Sequence, residues 1–227
     1  MLVTRDREPR TWPPRSGDDF RQEAVVRLGE DLADRFARVR LLVFDADGVL
    51  TPGNLVYGPR GEALKEFHAH DGLGLVLART AGIKRAVLTG RNSAIVERRA
   101  TELRFDSIKL GRFDKLVALH EILTETGVAA ESALYVGDDL IDLPAMFEVG
   151  IAVAVPAAPA EVREQCDYVT VAAGGAGAVR EVCDLVLKSS GLFGDALRRV
   201  GEKAWMPTAA ELSSDEDPEG PPPEVIQ

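Results

Sequence analysis

Cysteine is scarce, long apolar runs are missing, and positive charge is in deficit in this 227-residue chain. The two cysteines, Cys166 and Cys183, show no metal-ligand spacing and lie outside every motif described below. They read as buried or inert thiols of a reducing compartment. No stretch is apolar over the length a bilayer requires, so no membrane span is expected. Near the N-terminus, Arg and Asp stand where a signal peptide has its apolar core, so the chain reads as cytoplasmic rather than secreted. Lys and Arg number 27 against 37 Asp and Glu, for a net charge of −10. That balance argues against unaided nucleic-acid binding. What the chain does have is 45% hydrophobic residues, enough for one globular domain with a sizeable core.

Three regions separate along the chain. Residues 1–38 form a polar N-terminal extension. Its first part, to about residue 17, carries Pro9, Pro13, Pro14 and Gly17 and reads as loose. Over 18–38, Val25, Leu28, Leu32 and Phe36 recur near helical spacing, which predicts one amphipathic helix. Residues 39–190 form the core, where strand-like apolar runs alternate with helical segments, the pattern of parallel β-α-β units. Leu55-Val56-Tyr57 and Leu64-Lys65-Glu66-Phe67, joined through Gly58-Pro59-Arg60-Gly61, predict a hairpin. The gap from Asp47 to a helix beginning near Asp71 holds only that hairpin and leaves no room for a cap domain. Residues 191–227 form a C-terminal segment. Its tail, from about Ser213, is acidic and then Pro-rich (Pro218, Pro221, Pro222, Pro223) and reads as disordered.

The chemistry concentrates where apolar runs end. Leu41-Leu42-Val43-Phe44 reads as a buried strand. Asp45-Ala46-Asp47-Gly48 follows it directly. In an open α/β sheet, ligands bind at the carboxyl ends of strands. Two carboxylates there repel each other unless a cation lies between them, and Mg²⁺ suits oxygen ligands of this kind. A carboxylate can also attack phosphorus. Asp-Xaa-Asp has other uses, as a solvated turn, a helix cap, or the metal–nucleotide clamp of a glycosyltransferase. Three further stretches bear on the choice. Ala86-Val87-Leu88 ends in Thr89-Gly90-Arg91-Asn92-Ser93, where a hydroxyl and a helix start suit a phosphate, although Asn92 or Ser93 also suits a plain cap. Lys115 opens an amphipathic segment and by itself says little. Ala133-Leu134-Tyr135-Val136 ends in Gly137-Asp138-Asp139-Leu140-Ile141-Asp142, a second strand closing on carboxylates. A helix dipole accounts for one such acid, not for the repeated placement.

Taken in order, these pieces resemble the haloacid dehalogenase superfamily of phosphotransferases. Asp45-Ala-Asp-Gly-Val-Leu-Thr, Tyr57-Gly, Gly61-Glu, Phe67, Asp71-Gly-Leu-Gly, Leu88-Thr-Gly-Arg, Val136-Gly-Asp-Asp-Leu-Ile-Asp-Leu-Pro and Gly177-Ala-Val-Arg-Glu-Val-Cys-Asp-Leu resemble the cap-less 3-deoxy-D-manno-octulosonate 8-phosphate phosphatase family. The resemblance spans roughly residues 40–190. It implies a three-layer, Rossmann-like parallel sheet with a small β-hairpin insert and no cap domain. It also implies a homotetramer in which hairpins from four subunits form a central barrel. Two positions depart from the family pattern: Ala176 stands where Gly-Gly-Arg-Gly has arginine, and His70 stands where a basic Arg often precedes Asp71-Gly72.

The resemblance assigns roles as follows. Asp45 is the nucleophile and Asp47 the acid and base, with Thr89 and Lys115 offsetting charge on the phosphoryl group. Mg²⁺ is held by Asp45, Asp138 and the Asp47 carbonyl, with Asp139 and Asp142 orienting that shell. Arg91 and Gly90, with His68 and His70 near the mouth, are candidates for substrate contact. For the two histidines and Arg91, a purely structural or surface role is an equal reading. The expected substrate is a small phosphorylated sugar acid. The alternatives are a related nonulosonate 9-phosphate, or a non-catalytic oligomerisation module, which the intact acid set argues against.

Overall fold

The apolar runs become one parallel sheet whose central strand ends at Asp45. The computed structural model describes residues 13–201. In chain order the elements are α1 (Gly17–Leu28), α2 (Glu30–Ala37), β1 (Leu41–Phe44), β2 (Val56–Gly58), β3 (Gly61–Leu64), α3 (Ala69–Thr80), β4 (Lys84–Leu88), α4 (Ala94–Glu102), β5 (Ser107–Lys109), α5 (Lys115–Thr126), β6 (Ala133–Gly137), α6 (Leu143–Met146), β7 (Ile151–Ala154), α7 (Ala160–Arg163), β8 (Tyr168–Val169), α8 (Ala178–Ser189) and α9 (Phe193–Gly201). The six-stranded sheet runs β5-β4-β1-β6-β7-β8, and every neighbouring pair is parallel. Strands β1, β6 and β7 are buried along their whole length, which is why they read as unbroken apolar runs.

Strand order sets the position of the site. From β1 the chain moves outward to β4 and β5, then crosses back to β6 on the other side of β1. Right-handed crossovers therefore place α3 and α4 on one face and α5 with α6 on the other, giving three layers. The reversal at β1 makes its carboxyl end the switch point of the sheet, where ligands bind in such folds.

The N-terminal segment differs from the single helix predicted over 18–38. Two helices form, α1 and α2, broken at Gly29. Gly29 takes φ +77° and ψ 162°, a conformation outside the helix that costs glycine little, and its N–H closes α1 on the Val25 carbonyl (2.8 Å). Both helices pack on α8, and Phe20 meets Phe193 of α9 edge to face at 4.9 Å. The predicted loose residues 1–12 and the acidic, Pro-rich tail lie outside the described residues.

The hairpin is β2 with β3, antiparallel, turning through Pro59-Arg60. Its second strand begins earlier than the sequence suggested. Gly61 (φ +105°) opens β3, and the ladder ends at Leu64, so Lys65–Phe67 lie beyond it. Among the described residues no helix is long and apolar enough to cross a membrane. Both thiols are free, and burial raises each of them, Cys166 to about 11.

Candidate active site

Asp45 leaves β1 with its backbone N–H still bonded to Val136 of β6 (3.0 Å), which fixes the carboxyl at the sheet edge. The loop that follows turns at Gly48, φ +92°. A side chain there would overlap the Asp138 carboxylate, so glycine is needed both for the turn and for the approach of β6. Asp45 is 6% exposed. Its Oδ1 accepts a hydrogen bond from Lys115 Nζ at 2.8 Å. Lys115 is the first residue of α5, capped by Asp114, whose Oδ1 accepts the Val117 N–H (3.1 Å). Its ammonium is fully buried and also reaches Asp142 Oδ1 (2.9 Å) and the Leu88 carbonyl (2.9 Å).

Asp142 is buried and shared among several donors. Tyr135 donates its hydroxyl to Oδ1 (2.8 Å), and the backbone N–H groups of Asp138 and Asp139 donate to Oδ2 (3.1 and 3.2 Å). The Asp139 side chain lies outside this knot: it is exposed and caps the short turn Leu140–Asp142 through the Leu140 N–H (2.7 Å). Asp45, Asp138 and Asp142 thus bring one carboxylate oxygen each within 4.8 Å of one another.

That crowding is visible in the proton equilibria. Burial, then the charges of Asp45 and Asp142, push Asp138 up to about 8. Burial raises Asp45 to about 6, with Lys115 working against the rise and Asp142 adding to it. Burial also opposes the Lys115 charge, but Asp45 and Asp142 outweigh it and hold the ammonium above its ordinary value. One buried ammonium does not offset three carboxylates. An all-oxygen acidic cluster that repels itself is the donor set a hard divalent cation such as Mg²⁺ requires, so the residues fit that ion.

Asp47 faces elsewhere. Its Oδ1 forms an ion pair with Lys65, whose ammonium is fully buried and also meets Glu62 Oε1 at 3.1 Å. Its Oδ2 is buried with no hydrogen-bond partner, and Arg91 Nε lies 3.6 Å away. Arg91 donates to the Tyr57 hydroxyl (2.6 Å), tying the end of β4 to the hairpin. Thr89 is buried, and its Oγ1 accepts the Arg91 N–H (3.3 Å). Gly90 lies between them, beside the exposed ring of Phe113.

The structure therefore gathers Asp45, Asp47, Thr89, Arg91, Lys115, Asp138 and Asp142 at one end of β1, β4 and β6. His68 and His70 stand together instead at the start of α3, rings edge to face at 5.1 Å, beside Asp71. Asp71 accepts the backbone N–H groups of Arg180 (2.8 Å) and Gly177 (3.3 Å), which anchors the loop before α8. Gly174 in that loop packs on the Gly48 carbonyl so closely that no side chain fits, whereas Ala176 is exposed.

Sequence reasoning passed over Lys65, Glu62 and Tyr135. Lys65 looked like an ordinary polar position of a hairpin, and Glu62 entered only within the Gly61-Glu motif, with no role assigned. The available signal was a lysine set between Leu64 and Phe67, where alternation turns it away from Leu64. Tyr135 read as one more apolar strand residue, and only its hydroxyl distinguishes it.

Comparison with known proteins agrees with this geometry. The family profile described as haloacid dehalogenase-like hydrolase matches residues 110–181. A 3-deoxy-D-manno-octulosonate 8-phosphate phosphatase of Escherichia coli K12 is 43% identical over 169 residues, 74% of this chain and 90% of that protein. The crystal structure of the phosphatase of the same name from Moraxella catarrhalis, in complex with magnesium, phosphate and KDO (3-deoxy-D-manno-octulosonate), superposes with a TM-score of 0.71. The two are 40% identical, over 75% of this chain and 98% of that one. The cobalt-bound deoxy-D-mannose-octulosonate 8-phosphate phosphatase of Haemophilus influenzae gives a TM-score of 0.69 at 40% identity, over 70% and 93%. With its parallel sheet, its acid cluster and these relatives, the chain belongs to the 3-deoxy-D-manno-octulosonate 8-phosphate phosphatase family of haloacid dehalogenase-like hydrolases.

Proposed function

We propose that this protein is a Mg²⁺-dependent phosphatase that hydrolyses 3-deoxy-D-manno-octulosonate 8-phosphate to the sugar acid and phosphate, with Asp45 as nucleophile. The observation that carries this reading is the buried Asp45 carboxylate at the switch point of the sheet, paired with Lys115. Asp45 attacks phosphorus and forms an aspartyl-phosphate as the bond to the sugar oxygen breaks. Asp47 gives its proton to that departing oxygen, then takes one from the water that attacks the aspartyl-phosphate, which restores both groups. Thr89 and Lys115 offset the negative charge of the transferring group. The carboxylates of Asp45 and Asp138 and the carbonyl of Asp47 would hold Mg²⁺, with Asp142 and Asp139 behind them. When bound, the ion neutralises charge on the phosphoryl oxygens. Arg91, beside Gly90 and Asp47, faces the leaving group.

A panel of phosphorylated sugars assayed with Mg²⁺ tests this. The octulosonate 8-phosphate is expected to give the highest kcat/KM. A nonulosonate 9-phosphate turned over faster would reassign the substrate, and turnover by Asp45→Asn would overturn the covalent mechanism.

The working form we propose is a cytoplasmic homotetramer that binds neither membrane nor nucleic acid. Hairpin residues Leu55 (44%), Val56 (43%) and Leu64 (49%) are exposed in the isolated subunit, apolar side chains suited to contact with other copies of itself. Light scattering that gives a monomer mass for active enzyme would refute the assembly.

A further inference from the structure

We propose that Lys65 is a positioning residue for Asp47, and that the hairpin thereby takes part in the chemistry of its own subunit. The inference rests on the phosphatase reading and deepens it. A carboxyl group that must hand a proton to a leaving oxygen needs one oxygen fixed and the other free and aimed. Asp47 has that arrangement. Lys65 holds Oδ1, while Oδ2 is buried, accepts no hydrogen bond and faces Arg91 Nε at 3.6 Å. A lone ammonium on a four-carbon stem does not hold a geometry, yet Lys65 is held. Its charge is fully buried, and Glu62 Oε1 lies 3.1 Å away. Glu62 is held in turn by the Ser93 hydroxyl, which also caps α4 through the Val96 N–H (3.3 Å). The chain Ser93–Glu62–Lys65–Asp47 therefore runs from the rigid core through β3 to the acid. Lys65 touches no reacting atom in this scheme. It fixes which Asp47 oxygen carries the proton as the bond from phosphorus to the leaving oxygen breaks and the bond to Asp45 forms.

The effect of losing Lys65 depends on how badly the leaving group needs a proton. p-Nitrophenolate leaves without one; an alkoxide does not. None of p-nitrophenyl phosphate, phenyl phosphate and glycerol phosphate carries the carboxylate of a sugar acid, so a role in gripping that group does not confound the series. For Lys65→Met we expect kcat/KM, relative to wild type, to fall about 100-fold further on glycerol phosphate than on p-nitrophenyl phosphate, with phenyl phosphate between them. Glu62→Gln should tilt the series the same way by a smaller factor and covers the case in which Lys65→Met does not fold. Lys65→Arg should recover part of the loss on glycerol phosphate. A parallel drop on all three esters, or no drop, overturns the proposal. A loss confined to sugar acids also overturns it, since that marks a substrate contact. Wild-type enzyme inert in Mg²⁺ toward these three esters and toward octulosonate 8-phosphate alike would instead sink the phosphatase reading itself.

Discussion

The carboxyl edge of the sheet and the β2–β3 hairpin are separated by only a few residues of chain and are built in opposite ways. At the sheet edge, polar groups are buried and matched: Lys115 has three close oxygen acceptors, and Asp142 accepts from both side chains and backbone. The hairpin pairs two short strands, with most of their side chains facing solvent. Such a hairpin is marginal in water by itself. Three of its side chains, Tyr57, Glu62 and Lys65, reach back to the core; Leu55, Val56 and Leu64 do not. The difference teaches that the core holds Asp45 and Lys115 without help, while the hairpin turns Tyr57, Glu62 and Lys65 toward Arg91, Ser93 and Asp47 of its own subunit and leaves apolar side chains exposed.

The sharpest way to test that division is to damage the core side. Asp45→Asn should cut phosphate release by about 10⁴-fold or more while leaving the circular dichroism spectrum intact, because the amide does not attack phosphorus. Beryllofluoride should protect wild type against thermal unfolding and leave Asp45→Asn unprotected.

Lys115→Met comes next. It strands two buried carboxylates, and removing one partner of a buried pair costs about 3 kcal/mol. Denaturant unfolding should show the loss; a variant as stable as wild type would mean the buried pairs do not hold the edge together.

Proton linkage sharpens the comparison further. Asp45 and Asp138 titrate higher in the folded chain than their ordinary 3.8, at about 6 and about 8. A carboxyl raised on folding contributes stability that is full below 3.8 and lost as pH climbs through the raised value. Metal-free protein should therefore lose melting temperature between pH 5 and 8, and Mg²⁺ should restore more at pH 8 than at pH 5. A flat profile without metal would contradict the crowding of the cluster.

The smallest effect on the subunit itself belongs to the hairpin. Val56→Asp lies at an exposed position, so unfolding of the single subunit should change by no more than about 0.5 kcal/mol. Its readout is mass: light scattering should show a smaller particle than wild type.

Much of this was legible in the sequence because the parts are local. Each of Asp45, Thr89 and Asp138 directly follows a strand that reads as an apolar run, and the strand order brings the ends together. Lys65 was not legible because its partner, Asp47, is brought to it only when the hairpin folds back. Tyr135 hid in a buried strand, where a hydroxyl changes nothing in the apolar pattern. The break at Gly29 was overridden in the reading by the periodicity on either side of it, although a glycine between two short apolar stripes permits a turn. The pairing of the His68 and His70 rings beside Asp71 also had no local signal, since nearness in sequence to the hairpin does not say which way α3 starts.

The contact between Gly174 and the Gly48 carbonyl also bears on directed evolution. Residue 48 has no space on the side of Asp138, and residue 174 has none on the side of residue 48. A library randomised at either position would be almost wholly dead. Ala176, two residues further on, is exposed and unconstrained by that contact. Substitution at position 176 is thus expected to leave the contact between residues 48 and 174, and the catalytic edge beside it, intact.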